Sequence, residues 1–182
     1  MKNQKNIGLF IILFALISAC KDEVLPENPP QNETELITTM QLVMKDSATG
    51  LTSTFTFKDP DGEGGQGPTV FDTIHLVSGK VYQCELLLLD ESKSVTDTIS
   101  NEVKAEGNDH LVFYDVVGPK LSISITDFDS KQLPLGLKSR WHSTQTGQGL
   151  VTVQLKHQPG QKDGSRTPGE TDAMVTYPII IE

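Results

Sequence analysis

From Glu35 onward the chain alternates between apolar and polar residues. "LITTMQLVM" (36–44) sets Leu36, Thr38, Met40, Leu42 and Met44 on one face, and "LTSTFTF" (51–57) sets Leu51, Phe55 and Phe57 together with threonines opposite. A period of two sends successive side chains to opposite faces, so both stretches predict half-buried strands, and "KDSATG" between them predicts a hairpin connection. "KDPDGEGGQGPT" (58–69) is dense in Gly, Pro and Asp and predicts a loop. Further strands are expected at 71–77, 80–90, 110–117, 121–128, 149–157 and 174–181. The run Leu86–Leu89 abandons alternation, which predicts cover on both faces at that end. One segment, "SVTDTISNEVKAEG" (94–107), repeats Val95, Ile99 and Val103 at helical spacing, with Thr96 or Asp97 to cap it and Gly107 to end it. About eight strands and one short helix in one domain predict an all-β fold, an antiparallel β-sandwich of immunoglobulin-like architecture.

The N-terminus departs from this pattern. Lys2 and Lys5 precede the apolar run "IGLFIILFALISA", which is shorter than the roughly 20 residues that span a bilayer. A positive start, a short apolar stretch and small residues before a cut describe a secretory signal over residues 1–19. "ISAC" resembles the lipobox of bacterial lipoproteins, which implies cleavage before Cys20 and acyl chains on its thiol. "KDE" (Lys21, Asp22, Glu23) resembles the signal that sends Bacteroidota lipoproteins to the cell surface. The expected location is therefore the outer membrane, lipid-anchored and facing outward, with its periplasmic face as the alternative. Residues 20–34 carry three prolines and little that packs, and predict a solvated tether ahead of a domain at 35–182.

Taking Lys2 and Lys5 from the 15 basic residues leaves 13 against 24 acidic ones, and the net charge moves from −9 to −11. Nucleic acid is excluded as a partner on this ground, because phosphate binding needs clustered Lys and Arg. The expected partners are the membrane, through Cys20, and a protein or glycan outside the cell. With Cys20 acylated, Cys84 has no disulfide partner. It shares a face with Tyr82, Leu86 and Leu88 and reads as a small buried apolar residue.

Several stretches scattered over the domain, "ELITTMQL", "FKDPDGEGG", "LLLLDES", "NDHLVFY" and "LKHQPGQKDGSRTPGETD", are similar to a family of small Bacteroidota lipoproteins. Some members carry a label invoking the type 1 periplasmic binding fold. That doubly wound α/β fold alternates strands with helices, and one helical segment is too few to build it. The resemblance implies no activity, cofactor or catalytic residue.

Candidate chemistry is sparse. His75, His110, His142 and His157 show no HxH, HExxH or CxxC spacing, and each reads as structural. No GxSxG elbow or phosphate loop occurs, so a non-enzymatic binding or envelope-associated module is expected. Trp141 beside Arg140 either fills the core or, exposed, stacks on a sugar ring, which gives the alternative of a carbohydrate- or ligand-capturing accessory protein. Asp59 and Asp61 in "DPDGEGG", with Asp163, Glu170 and Asp172 in "KDGSRTPGETD", are the carboxylates available for calcium, which takes 6–8 oxygens. The competing reading is plain turn chemistry. Three Asp-Ser/Thr-aliphatic triplets, starting at Asp46, Asp72 and Asp97, resemble O-glycan acceptors.

Overall fold

The computed structural model describes residues 36–62 and 64–182. Their alternation resolves into ten strands and one helix: β1 (Thr39–Asp46), β2 (Thr52–Lys58), β3 (Val70–Phe71), β4 (Ile74–Leu76), β5 (Val81–Leu89), α1 (Ile99–Ala105), β6 (His110–Val117), β7 (Leu121–Ile125), β8 (Lys138–Ser143), β9 (Gly147–His157) and β10 (Glu170–Ile181). One sheet has the order β3-β2-β1-β5-β8-β7 and the other β4-β10-β9-β6. Every pairing is antiparallel except β4 with β10. The fold is an all-β sandwich.

Register follows the apolar phase. Met40, Leu42 and Met44 of β1 stand opposite Leu88, Leu86 and Cys84 of β5, and all six are buried. From the second sheet Val112, Val151, Val153, Leu155, Val175, Tyr177 and Ile179 meet them in one core. A one-residue slip would turn these side chains to solvent, so burial itself holds the register. Two aromatics tie the layers together. Tyr177 donates its hydroxyl to the Met40 carbonyl at 2.8 Å, and Tyr114 meets Trp141 edge-on at 5.8 Å between centroids.

The differences from the sequence pattern have identifiable causes. β8 is an additional strand. Its inward residues are Ser139, Trp141 and Ser143, all buried, so two of three core positions are polar and the alternation is masked. Both serines are satisfied: Ser139 Oγ accepts from Trp141 Nε1, and Ser143 Oγ donates to the Val77 carbonyl. The expected strand at 71–77 divides, β3 pairing with β2 and β4 with β10, so the chain changes sheets at Asp72–Thr73. Within the leucine run alternation survives, with Leu86 and Leu88 in the core and Leu87 and Leu89 half-buried.

The helix is shorter than its apolar spacing suggests. Asp90 and Asp97 pair backbone to backbone, which closes residues 91–96 into a loop and leaves Val95 77% exposed. α1 begins only at Ile99, and its N-cap Thr98 makes no side-chain cap. Its position serves the sheet. β8 pairs with β5 only as far as Glu85, and beyond it buried Ser100 Oγ accepts the Leu88 N–H at 2.6 Å. A backbone donor that would be costly to bury alone is thereby paired.

Candidate functional site

A cleft of about 390 Å3 opens between α1, the outer end of β5 and the loop joining β7 to β8. That volume falls in the range of small-molecule sites. Asn101 and Lys104 project from α1, Asn108 from the turn after it, and Glu85 and Lys138 from β5 and β8. Phe128, 54% exposed, stands at the rim.

The loop carrying Phe128 is built from local hydrogen bonds. β7 ends at Ile125, and Phe128 then bridges Pro134 across a tight turn. Asp129 Oδ1 accepts the N–H groups of Lys131 and Leu133, and Asp127 Oδ1 accepts that of Gly136. Gln132 is held at φ 65°, a left-handed conformation costing about 1–2 kcal/mol for a residue with a Cβ. Gly136 lies at φ +95°, where an added Cβ would come within 2.8 Å of Val112, so only glycine fits.

A buried ion pair fixes this loop from behind. Lys162 Nζ lies 2.8 Å from Asp129 Oδ2 and donates to the Gly107 carbonyl at 2.8 Å. Burial pushes the Asp129 carboxyl up, but Lys162 and the two backbone donors outweigh it, leaving the group below its ordinary range. Around the cleft Lys104 and Lys138 balance Glu85 and Asp127. Ser130 Oγ donates to Asn108 Oδ1 at 2.8 Å, an amide oxygen that is no general base. An exposed ring with neutral amides and balanced charges can hold an uncharged polar ligand.

The residues singled out from sequence fall elsewhere. Trp141 is fully buried, its ring among core aromatics and its N–H on Ser139, so it offers no face to a ligand. Successive residues of a strand point to opposite sides, and Arg140 is accordingly exposed, beside Asp46 and Lys80. Stacking by an Arg140–Trp141 pair is therefore corrected, and Trp141 fills the core; the exposed aromatic at the cleft is Phe128. The sequence carried a trace of it, since Phe128 falls out of phase with Leu121, Ile123 and Ile125.

Among the proposed calcium ligands, Asp59 and Asp61 lie side by side. Burial, then the neighbouring Asp61, raises the Asp59 pKa, while the Gln66 N–H lowers that of Asp61. Asp163 accepts the Ser165 N–H at 2.7 Å as an ordinary Asx turn. Glu170 is exposed at the start of β10, and Asp172 faces His110. Asp59 and Asp172 share a second groove of about 480 Å3 with Met40, Phe57 and Val175. Burial pushes the Cys84 thiol up to about 12, so it is inert. Ser47 is exposed in the β1–β2 turn, whereas Thr73 and Thr98 are half-buried. Cys20, Lys21, Asp22, Glu23, the signal segment and the tether lie outside the described residues.

Comparison with family models, with curated proteins and with solved structures finds no match for this chain. Among the described residues no helix is long and apolar enough to cross a membrane.

Proposed function

We propose that this chain is a non-enzymatic lipoprotein, held on the outer membrane by acyl chains on Cys20, whose sandwich domain faces the medium and captures a small polar ligand of the carbohydrate class. The observation that carries the capture reading is the cleft beside α1. It combines the exposed Phe128 ring, on a loop fixed from behind by the Lys162–Asp129 pair, with Asn101 of α1 and Asn108 of the turn after it. An aromatic face packs on the apolar face of a sugar, and the Asn101 and Asn108 amides offer donors and acceptors to its hydroxyls. The anchor reading rests on the apolar segment ending at Cys20 and on Lys21, Asp22 and Glu23 behind it. Two or three acyl chains hold a protein stably where one does so only marginally.

Two measurements test the halves separately. Cys20→Ser should abolish acylation, and alanine at Lys21, Asp22 and Glu23 should keep the lipid but protect the domain from protease added to whole cells. Equal shaving of the triple variant and the wild type refutes outward export by that signal. Calorimetric titration with a panel of neutral oligosaccharides should find a binder whose affinity falls at least about tenfold in Phe128→Ala, consistent with loss of a buried aromatic contact. No binder in the panel, or equal binding by the variant, refutes capture at this cleft.

A further inference from the structure

His110 opens β6, His157 closes β9, and the antiparallel register sets them directly opposite each other. Their rings stack at 4.6 Å between centroids with planes 8° apart. Glu106, the C-cap residue of α1, lies four residues before His110. One donor atom from each of Glu106, His110 and His157 can be chosen so that all three lie within 4.8 Å of one another. None of this is visible as spacing, because the pieces come from a helix end and two strand ends.

A further carboxylate approaches His110 from β10. That strand runs in register with β9 except between Thr171 and Ala173, where Asp172 is the extra residue of a β-bulge. Bulges re-aim side chains. Here the bulge brings Asp172 Oδ2 to 3.8 Å from His110 Nε2, with the two side chains 7% and 3% exposed.

The hydrogen bonding of His110 decides what that approach means. Nδ1 lies 3.2 Å from the Glu106 carbonyl, and a carbonyl only accepts, so Nδ1 carries the proton and Nε2 a lone pair. At 3.8 Å the lone pair and the carboxylate oxygen stand beyond hydrogen-bond reach of each other. That separation is one that two ligands of a single metal ion adopt. With zinc–nitrogen and zinc–oxygen bonds of about 2.0–2.2 Å, the donors stand about 3.4 Å apart at a tetrahedral angle and about 4.2 Å apart in line. The Nδ1–carbonyl bond is also the support that metal-bound imidazoles use to fix their tautomer.

We infer that Glu106, His110, His157 and Asp172 form a site for a divalent transition metal of the zinc class. Two imidazoles and two carboxylates suit zinc, whereas calcium takes oxygen ligands. Ring lone pairs lie in the ring plane, so binding turns the His157 ring out of its stack until it converges with His110. The metal would join the end of α1, the start of β6 and both strands of the β9–β10 pair at one point.

The test uses the full chain, purified and stripped with a chelator, then titrated with zinc chloride against a chromogenic competitor. One zinc per chain is expected, with a rise in melting temperature as zinc is added. Glu106→Gln alters an exposed side chain, so its metal-free melting temperature should match the wild type, while His157→Gln also loses the ring stack and is compared with the wild type by zinc affinity. Each should weaken zinc at least about tenfold, as loss of even a supporting partner does. Asp172→Asn should do the same. The inference is overturned if the wild type does not compete for zinc, or if these three variants bind it as tightly as the wild type.

Discussion

Between the sheets, Met40, Leu42, Leu86, Leu88, Val153 and Tyr177 lose their solvent contact to apolar neighbours. Where the β7–β8 loop and the β9–β10 loop meet behind α1, Asp129, Gln158 and Lys162 lose as much while remaining polar. Gln158 Nε2 donates to the carbonyls of Ser165 and Pro168, both at 2.9 Å. Its backbone N–H reaches the Asp109 carbonyl, and Asp109 Oδ1 accepts the Gly160 N–H. Lys162 closes the arrangement on Asp129 and Gly107. The core is stabilised by area removed from water, a non-directional effect that tolerates exchange of similar shapes. The polar corner is stabilised only while each partner is present, because an unpaired buried group costs its full desolvation. The loop beside the cleft is held for both reasons, by the polar partners of Asp127 and Asp129 and by Leu135 and Leu137, which it sends into the core. The same contacts explain why the "KDGSRTPGETD" turn holds its shape on side chains of the chain itself.

Trp141→Ala should have the largest effect. It removes a fully buried side chain facing Tyr114, and such truncations cost about 3–5 kcal/mol. Urea unfolding should show a lower midpoint with little change in slope. Lys162→Met tests the other region. It strands the Asp129 charge, and breaking a buried pair from one side costs about 3–5 kcal/mol. Adding Asp129→Asn removes that charge while keeping an acceptor for Lys131 and Leu133, so the double variant should regain more than half the loss. No second substitution that removes polarity can restore Trp141→Ala in this way. A double variant as unstable as Lys162→Met would mean that the corner behaves like the core.

The two regions also differ in how far they could be read from the residues. Strands such as β1 and β5 announced themselves because their inward positions are apolar at every second residue. β8 did not, because Ser139 and Ser143 hold core positions through hydrogen bonds that no hydropathy pattern encodes. The same blindness covers Gln158 and Lys162, which look like solvated loop residues until their partners, 7 to 55 residues distant, are in place. His110 and His157 are paired by strand register alone. Trp141 was legible as core filler because tryptophan is usually largely buried, and its burial bears that reading out.

A smaller effect should appear with pH at the β1–β2 turn, on the sandwich surface. Asp46 is lowered from 3.8 to about 2, first by Lys80, whose Nζ lies 2.6 Å away, and then by the Ala48 N–H. A carboxyl held below its unfolded value stabilises the fold above that value and loses the contribution as pH falls from about 4 to about 2. Asp46→Asn should therefore melt below the wild type near neutral pH, and the gap should close on acidification through that window. A gap that persists at the acid end would show that the turn depends on something other than the charge.

Phe128→Ala should have the smallest effect on stability, and it sharpens the comparison most. Phe128 is one of the two aromatics discussed for ligand contact, yet it is half exposed where Trp141 is fully buried. Its loop is held by Asp127, Asp129 and Lys162 and owes the ring little. Surface substitutions away from such anchors usually shift stability by less than about 0.5 kcal/mol, and the urea midpoint should move no more than that. A much larger loss would mean that the ring holds the loop in place, and the polar corner would then lean on apolar packing after all. An unchanged midpoint leaves the ring free of structural duty, available to whatever enters the cleft.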